Sequence, residues 1–254
     1  MSIITISRGS YSRGKAVAEH VAVRLGYTVI SRDLLLEASD RFHVPEIKLV
    51  RAIHDAPGIL DRLRHSRQAY IAYIRAALTE RVAEDNVVYH GLAGHLLLKG
   101  IPHVLKVRIS ADLHQRVAGE MQREGIGVQE ARRVILADDL QRRRWTKSLY
   151  GHDPGDSDLY DLVIRVGALT VEDAVDFICR AASRQGFQAT PASLQQARDL
   201  ALACRIKAAL ANEFPHVGVT SQHGNAIVHI KDRDLGGARL HKKIEALRTE
   251  TPGL

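Results

Sequence analysis

Cysteine, aromatic side chains and long apolar runs are all scarce in this chain, and each shortage removes a class of function. Its two cysteines, Cys179 and Cys204, lie far apart and outside any metal or redox spacing. They read as buried or reduced thiols, with no disulfide framework. Aromatics make up 5% of the residues, too few for a base-stacking surface. No apolar run approaches the length of a membrane span, and the first residues enter a strand pattern with no signal-like region. Those two absences lead us to expect a cytoplasmic protein. The thirteen histidines, His90, His95, His216, His223 and His229 among them, match no reliable ligand spacing, so no metal site is expected from the protein itself.

What remains is an ordinary globular composition, 45% hydrophobic and 26% charged over 254 residues. That length suits one large α/β domain, or a medium domain with a small one. The formal net charge of +7 invites a nucleic-acid reading. Its distribution weakens that reading, because Arg142-Arg143-Arg144 is the one consecutive basic block that stands out. A basic balance equally suits an enzyme of phosphorylated substrates.

The most informative stretch is the first. Ile3-Ile4-Thr5-Ile6 is an apolar, β-branched run that breaks into a turn. The turn feeds a segment with apolar residues at Val17, Val21 and Leu25, the spacing of an amphipathic helix. Strand, glycine turn and helix open a phosphate-binding βα unit, whose backbone N–H groups and helix dipole form an anion cradle. Gly9 to Lys15 fits G-x-x-x-x-G-K, with Ser10, Ser12, Arg13 and Gly14 inside the turn and Lys15 placed for the β- and γ-phosphates. The next position, where Ser or Thr would put a hydroxyl on Mg²⁺, is Ala16.

Further strands are expected at Tyr27–Ser31, Asn86–Gly91, Pro102–Ile109 and Leu159–Val166, alternating with helices, which calls for a parallel sheet covered on both faces. Ser110 is the expected cap of a helix Ala111–Glu124, and Thr170 with Asp173 reads as a capping box. A helix from Val128 to Arg144 ends strongly basic. The segment Asp139 to Trp145 suits a lid whose arginines close over phosphates and exclude water. The uncharged stretch Phe187–Gln196 marks a domain boundary. After it come a helix Ala197–Asn212, two alternating strands around His223-Gly224-Asn225, and a helix Leu235–Thr249.

These landmarks carry a resemblance. The opening Ile-Thr-Ile-Ser-Arg, Gly14-Lys15, Val87-Val88 running to His90-Gly91, Asp139-x-x-Arg142-x-x-Trp145 with Tyr150-Gly151, and Tyr160-Asp161-Leu162-Val163-Ile164 together resemble the cytidylate kinase-like family of P-loop nucleoside-monophosphate kinases. The resemblance implies a P-loop kinase-type α/β domain over residues 1–185. It also implies ATP with Mg²⁺ as phosphoryl donor and a cytidylate-like monophosphate or similar small molecule as acceptor. Lys15, Arg142, Arg143 and Asp139 would carry catalysis. Gly9, Ser10, Ser12, Arg13, Gly14, Lys15 and Ala16 would hold the donor, and Arg8, Asp33 and Gly91 the acceptor. Two departures stand out: Ala16, and Leu92 where the family often has arginine. They leave open a weak or inactive nucleotide-binding sensor.

The tail, residues 197–254 after a linker 186–196, resembles a BON domain, a small α-β-β-α-β module that here lacks its last strand. That resemblance implies a regulatory or interaction module with a protein or membrane-surface partner. The sequence leaves the oligomeric state open.

Overall fold

The computed structural model describes residues 2–9, 12–31, 33–54, 64–91, 93–230 and 237–250. Ser10 and Leu92, both singled out above, lie outside them. The described chain divides into two compact units. One takes in the N-terminal residues to Asp33 and Asp85–Ala189; the other takes in Leu34–Ala52, the helix that follows, and the chain from Thr190 onward.

The first unit is built on a parallel sheet of five strands, ordered β2-β3-β1-β4-β5. These are β1 (Ile3–Arg8), β2 (Thr28–Ile30), β3 (Val87–His90), β4 (Val104–Ala111) and β5 (Leu162–Val166). In register, Ile6 of β1 faces His90 of β3 on one side and Val107 of β4 on the other. All strands point the same way, so Ser7, Arg8, His90 and Ser110 collect at one end of the sheet, where ligands of open α/β sheets bind.

Alternation along the strands decides which side chains meet which layer. Ile4, Ile6, Val88 and Val107 form a dry cluster with Val17 and Val21 of α1 (Gly14–Leu25). Val175 and Ile178 of a later helix, Val171–Ala182, complete it. Each such fully buried branched side chain stabilises the fold by about 1.5–3 kcal/mol. Thr5 and Tyr89 point the other way, where Gly94 of the short helix Gly94–Leu97 lies against them.

Several expected boundaries move. Ser110 is not a helix cap: β4 runs through it to Ala111, because the ladder with β5 extends to Ala111 and Val166. The following helix is Leu113–Glu124, with Asp112 at its N-cap position. The basic helix does not end at Arg144. It runs from Val128 to Tyr150 and stops at Gly151, whose φ of 74° is the left-handed close of a helix. Ala131, Ile135 and Trp145 are buried on one face of it, a spacing close to 3.6, so tertiary packing carries the helix past its polar stretch. The capping box of Thr170 and Asp173 is present as expected.

In the second unit come α2 (Asp33–Phe42, from its second residue), α3 (Glu46–His54) and α4 (Arg64–Val82). The remaining helices, in chain order, are α5 (Gly94–Leu97), α6 (Leu113–Glu124), α7 (Val128–Tyr150) and α8 (Val171–Ala182) in the first unit. The second unit resumes with α9 (Pro191–Leu210), the antiparallel hairpin β6 (Gly218–Gln222) and β7 (Asn225–His229), and α10 (Gly237–Glu250). The helix expected from Ala197 begins six residues earlier, inside the expected linker. Thr190 and Ser193 make a reciprocal capping box and Pro191 occupies the first turn, where its missing N–H costs nothing. Ile206, Leu210, Phe214, Val217 and Leu240 form this unit's own apolar cluster. Among the described residues, no helix is long and apolar enough to cross a membrane.

Candidate functional site

The turn between β1 and α1 is tied down from below. Gly9 N–H donates to the Ile109 carbonyl at 3.1 Å. The fully buried Ser12 hydroxyl is shared between the carbonyls of Gly9 (2.9 Å) and Ile109 (3.1 Å). Ser12 thus fastens the turn to β4. Arg13 takes a left-handed conformation, φ 59°. A Cβ on Gly14 would lie 2.8 Å from the Arg8 Cβ, so the close approach of helix and strand requires glycine there. No side chain caps α1 and no acidic residue occupies its first turn. Its leading N–H groups and positive dipole end therefore favour an anion. Lys15 is exposed and lies 3.6 Å from Glu19, one turn along α1.

Beside the turn is a cavity of about 390 Å³. Arg8 and Gly9 border it from the turn, Gly91 from the end of β3, and Arg108 and Ser110 from the end of β4. Arg116 of α6 and Asp139, Arg142 and Arg143 of α7 complete its polar wall. Five arginines thus face two carboxylates, Asp139 and Asp153. Each carboxylate already holds an arginine: Asp139 pairs with Arg116 and Asp153 with Arg143, both at 2.7 Å. The cavity is therefore a positive field inside low-dielectric walls, the setting in which a polyanion is drawn in and held.

The residues expected at the site fall into three groups. Arg8, Gly9, Gly91, Asp139, Arg142 and Arg143 line the cavity together, although α7 lies more than a hundred residues from the turn. Ser12, Arg13, Gly14, Lys15 and Ala16 shape the adjoining turn and helix start without lining it. Asp33 opens α2, where its carboxylate accepts the Ser31 N–H at 2.7 Å, and it does not line the cavity. Asp139, which by the resemblance would orient the lid arginines or the acceptor, pairs with Arg116 and does not hold Arg142. Asp138 holds Arg142 at 3.1 Å from one turn earlier on α7, a neighbouring position on the helix surface.

His95, Arg108, Arg116 and Tyr160 also line the cavity, and none of them is among the residues the sequence assigned to the site. Arg108 lies over the Tyr160 ring, 5.6 Å from its centroid, and His95 packs on the same ring at 4.6 Å. The one available signal was position: Arg108 near the end of a strand and Arg116 in the first turns of the helix after it. Gly91 and Gly94 owe their identity to Tyr89, since a Cβ on either would come within 2.5 Å of its phenol. Burial pushes the Tyr89 hydroxyl pKa upward.

Two buried histidines mark the site electrically. His90 is lowered to about 4, first by burial and then by the charges of Arg8, Lys15 and Arg142. His95 is also lowered to about 4, by burial and then by Arg108, Lys106 and His152. Both rings are therefore neutral at pH 7. His95 Nδ1 lies 2.9 Å from the Ser7 hydroxyl, and Nε2 of each ring is buried without a hydrogen-bond partner.

The donor set suits phosphate and does not suit a protein-held metal. Among the described residues, no three His, Cys, Asp or Glu side chains gather to bind an ion. Ala16 has no hydroxyl, Ser12 is committed to two carbonyls, and Asp138, Asp139 and Asp153 hold arginines. Mg²⁺ prefers carboxylate and water oxygens, so the described side chains do not fit a Mg²⁺ held by the protein.

Residues 3–168 match the cytidylate kinase-like family. The cytidylate kinase of Pyrococcus horikoshii is 28% identical over 175 residues, covering 67% of this chain and 82% of that enzyme. A Corynebacterium glutamicum protein named uronate isomerase is 31% identical over 101 residues, 40% of this chain. The present chain spans only 20% of that protein's length. The crystal structure of an uncharacterized protein from Eubacterium ventriosum, 21% identical, superposes with a TM-score of 0.55 over 72% of this chain and 100% of that one. That likeness supports the fold. With the family match running from the first strand through the sheet's last, the chain belongs to the cytidylate kinase-like family.

Proposed function

We propose that this protein transfers a phosphoryl group from ATP to a nucleoside monophosphate, cytidylate-like, or to a similar small acceptor. The observation that carries the reading is the meeting of Arg8, Gly9, Arg142 and Arg143 on one cavity beside the glycine turn. Phosphoryl transfer asks for positioning and for positive charge on the transferring group, with little covalent chemistry. ATP, when bound, supplies the phosphoryl group. The N–H groups at the start of α1 and the side chain of Lys15 hold its phosphates. Arg142 and Arg143 bring charge from the opposite wall, and Asp138 sets the angle of Arg142. Gly91 and Arg108 lie toward the acceptor side, and the packed Tyr160 and His95 rings keep water from that wall. In this reading Mg²⁺ arrives on the nucleotide rather than on a protein ligand set.

Purified protein is to be assayed for ADP formation against a panel of monophosphates. Turnover stimulated by one of them, and lost in Lys15→Ala, supports the kinase. No stimulation by any, with Lys15→Ala indistinguishable from wild type, removes it. A second reading, a nucleotide sensor without transfer, is favoured by Ala16 and by the commitment of Asp138, Asp139 and Asp153 to arginines among the described residues. Saturable ATP binding with no transfer to any acceptor selects that reading. We read the C-terminal α-β-β-α segment as a BON-like interaction module of a cytoplasmic protein, with a protein or membrane surface as its partner. Deleting it should leave nucleotide binding intact and abolish partner capture.

A further inference from the structure

The arginines around the cavity are held in two different ways. Arg116 of α6 and Arg142 and Arg143 of α7 each pair with a carboxylate: Asp139 at 2.7 Å, Asp138 at 3.1 Å and Asp153 at 2.7 Å. Arg108 of β4 is held by an aromatic side chain. Its guanidinium donates to the Tyr160 hydroxyl at 3.3 Å and lies 5.6 Å from the centre of that ring. A carboxylate offsets the charge it holds, and gives it up only when an incoming anion takes its place. A phenol fixes the guanidinium and leaves its charge in place.

Tyr160 is itself fixed. Its hydroxyl donates to the Pro154 carbonyl at 2.9 Å, and its ring packs on His95 with centroids 4.6 Å apart. His95 in turn meets the Ser7 hydroxyl through Nδ1 at 2.9 Å. Ser7, His95, Arg108, Pro154 and Tyr160 all line the cavity. The end of β1, the short helix α5 and the segment before β5 therefore converge on one cation of β4.

We propose that Tyr160 is a positioning residue that holds Arg108 to receive the anionic group of the acceptor, and that the acceptor is a phosphate monoester. This rests on the phosphoryl-transfer reading above and names its acceptor class. Transfer to a phosphate brings two anions together, and a cation fixed beforehand on the acceptor side lowers that repulsion. A phosphate monoester is also largely ionised at neutral pH. One of its oxygens forms the new bond to the γ-phosphorus, and the bond from that phosphorus to the bridging oxygen breaks. The electron pair leaves with ADP, and no proton has to move. A hydroxyl acceptor would need a base. The described carboxylates that line the cavity, Asp139 and Asp153, each hold an arginine. His95, lowered to about 4 by burial and by the Arg108 charge, is a weak base.

The test is calorimetry on the full chain with CMP and with ribose 5-phosphate, and separately with ATP, all in Mg²⁺. Binding of CMP alone, or of both monophosphates, by wild type supports the proposal and tells a nucleotide acceptor from a sugar phosphate. Arg108→Met should weaken the monophosphates about 10- to 100-fold, the range for a hydrogen bond to a charged group, and leave ATP affinity unchanged. Arg108→Lys keeps the charge and should lose less. Tyr160→Phe keeps the ring and removes the hydroxyl. It should weaken the monophosphates about fivefold and add nothing in Arg108→Met/Tyr160→Phe, because it acts through Arg108. A merely structural role for Tyr160 would give additive losses shared with ATP. The thermal transition of each unliganded variant establishes that it is folded. Monophosphate affinity unchanged in Arg108→Met, additive losses in the double variant, or an equal loss of ATP affinity overturns the proposal and leaves the kinase reading standing. So does ADP formation stimulated by gluconate, a hydroxyl acceptor, when neither monophosphate binds. No binding of ATP by wild type overturns both.

Discussion

Two buried polar clusters, one in each unit, show how differently a protein treats a group that holds structure and a group with capacity to spare. In the second unit Asp199, 7% exposed on α9, accepts from His223 N–H at 2.8 Å and Gly224 N–H at 2.7 Å. It also accepts from Ser221 at 3.2 Å and Gln195 at 3.3 Å. Burial alone would raise its pKa, but the bonds from Gly224, His223, Gln195 and Ser221 together outweigh that, and the carboxyl sits below its ordinary range. His223 and Gly224 both have positive φ, 51° and 79°, so the carboxylate staples a tight hairpin turn to a helix. Every bond closes within the fold.

The sheet end of the first unit is the opposite case. His90 and His95 are as buried as Asp199, yet each leaves Nε2 unpartnered. Buried polar atoms are satisfied in the great majority of cases, and here His95 lines, and His90 adjoins through Gly91, a cavity lined by five arginines. Lack of a partner is not sufficient by itself. Asp85 and His103, near the opposite end of β3 and β4, also have side-chain atoms without a hydrogen-bond partner; they lie 3.8 Å apart, and burial lowers the His103 pKa. Proximity to the arginine-lined cavity separates the two.

Acid should break the two clusters in different windows, and this is the largest effect expected. His90 and His95 have folded pKa values near 4, below the ordinary 6.5. The unfolded chain therefore binds more protons between those values, and stability must fall as pH drops from about 6.5 toward 4. Each ring contributes up to about 3 kcal/mol of that loss. Asp199, with a lowered pKa, loses its contribution only below about pH 4, as it protonates. Urea denaturation across pH 4–7 should show the first slope in wild type and a flatter one in His90→Asn/His95→Asn.

Arg142→Ala and Asp199→Ala should separate function from stability. The first is expected to lower phosphoryl transfer about 100-fold, ~2.7 kcal/mol in the barrier, with little change in melting temperature. The second should cost about 2 kcal/mol of stability, the range for hydrogen bonds to a charged group, and leave nucleotide affinity in the first unit unchanged. Equal effects of both variants on both readouts would erase the contrast. Gly14→Ala places a Cβ 2.8 Å from the Arg8 Cβ. It should cost about 1–3 kcal/mol of overpacking and weaken ATP binding at the same time, measured by denaturation and by calorimetry. Thr190→Ala, which removes the reciprocal cap of α9, should cost about 1 kcal/mol and be silent in nucleotide binding.

Local chemistry was readable in advance wherever a residue acts on its neighbours in sequence. The glycine turn before α1, the Thr170 cap and the His223-Gly224 hairpin all rest on interactions spanning a few residues, so residue type and spacing suffice. The fainter signals were those that needed the sheet. Arg108, Arg116 and His95 belong to no local site motif, and it is the parallel register of β1 with β3 and β4 that sets them beside Arg8. The Ser7–His95 contact joins residues 88 apart in the chain.

The amino-acid sequence by itself determined the order of strands and helices, the anion-favouring start of α1 and the basic character of α7, because backbone preference, side-chain period and charge are properties of the local chain. Tertiary structure alone decided that α7 continues through Arg144 to Tyr150, since burial of Trp145 rewards the extra turns. It also decided that Asp138 rather than Asp139 holds Arg142, and that two neutral histidines lie at the sheet's ligand end. Partner choice and proton affinity depend on which distant charges share a low-dielectric space, and only the folded chain brings them together.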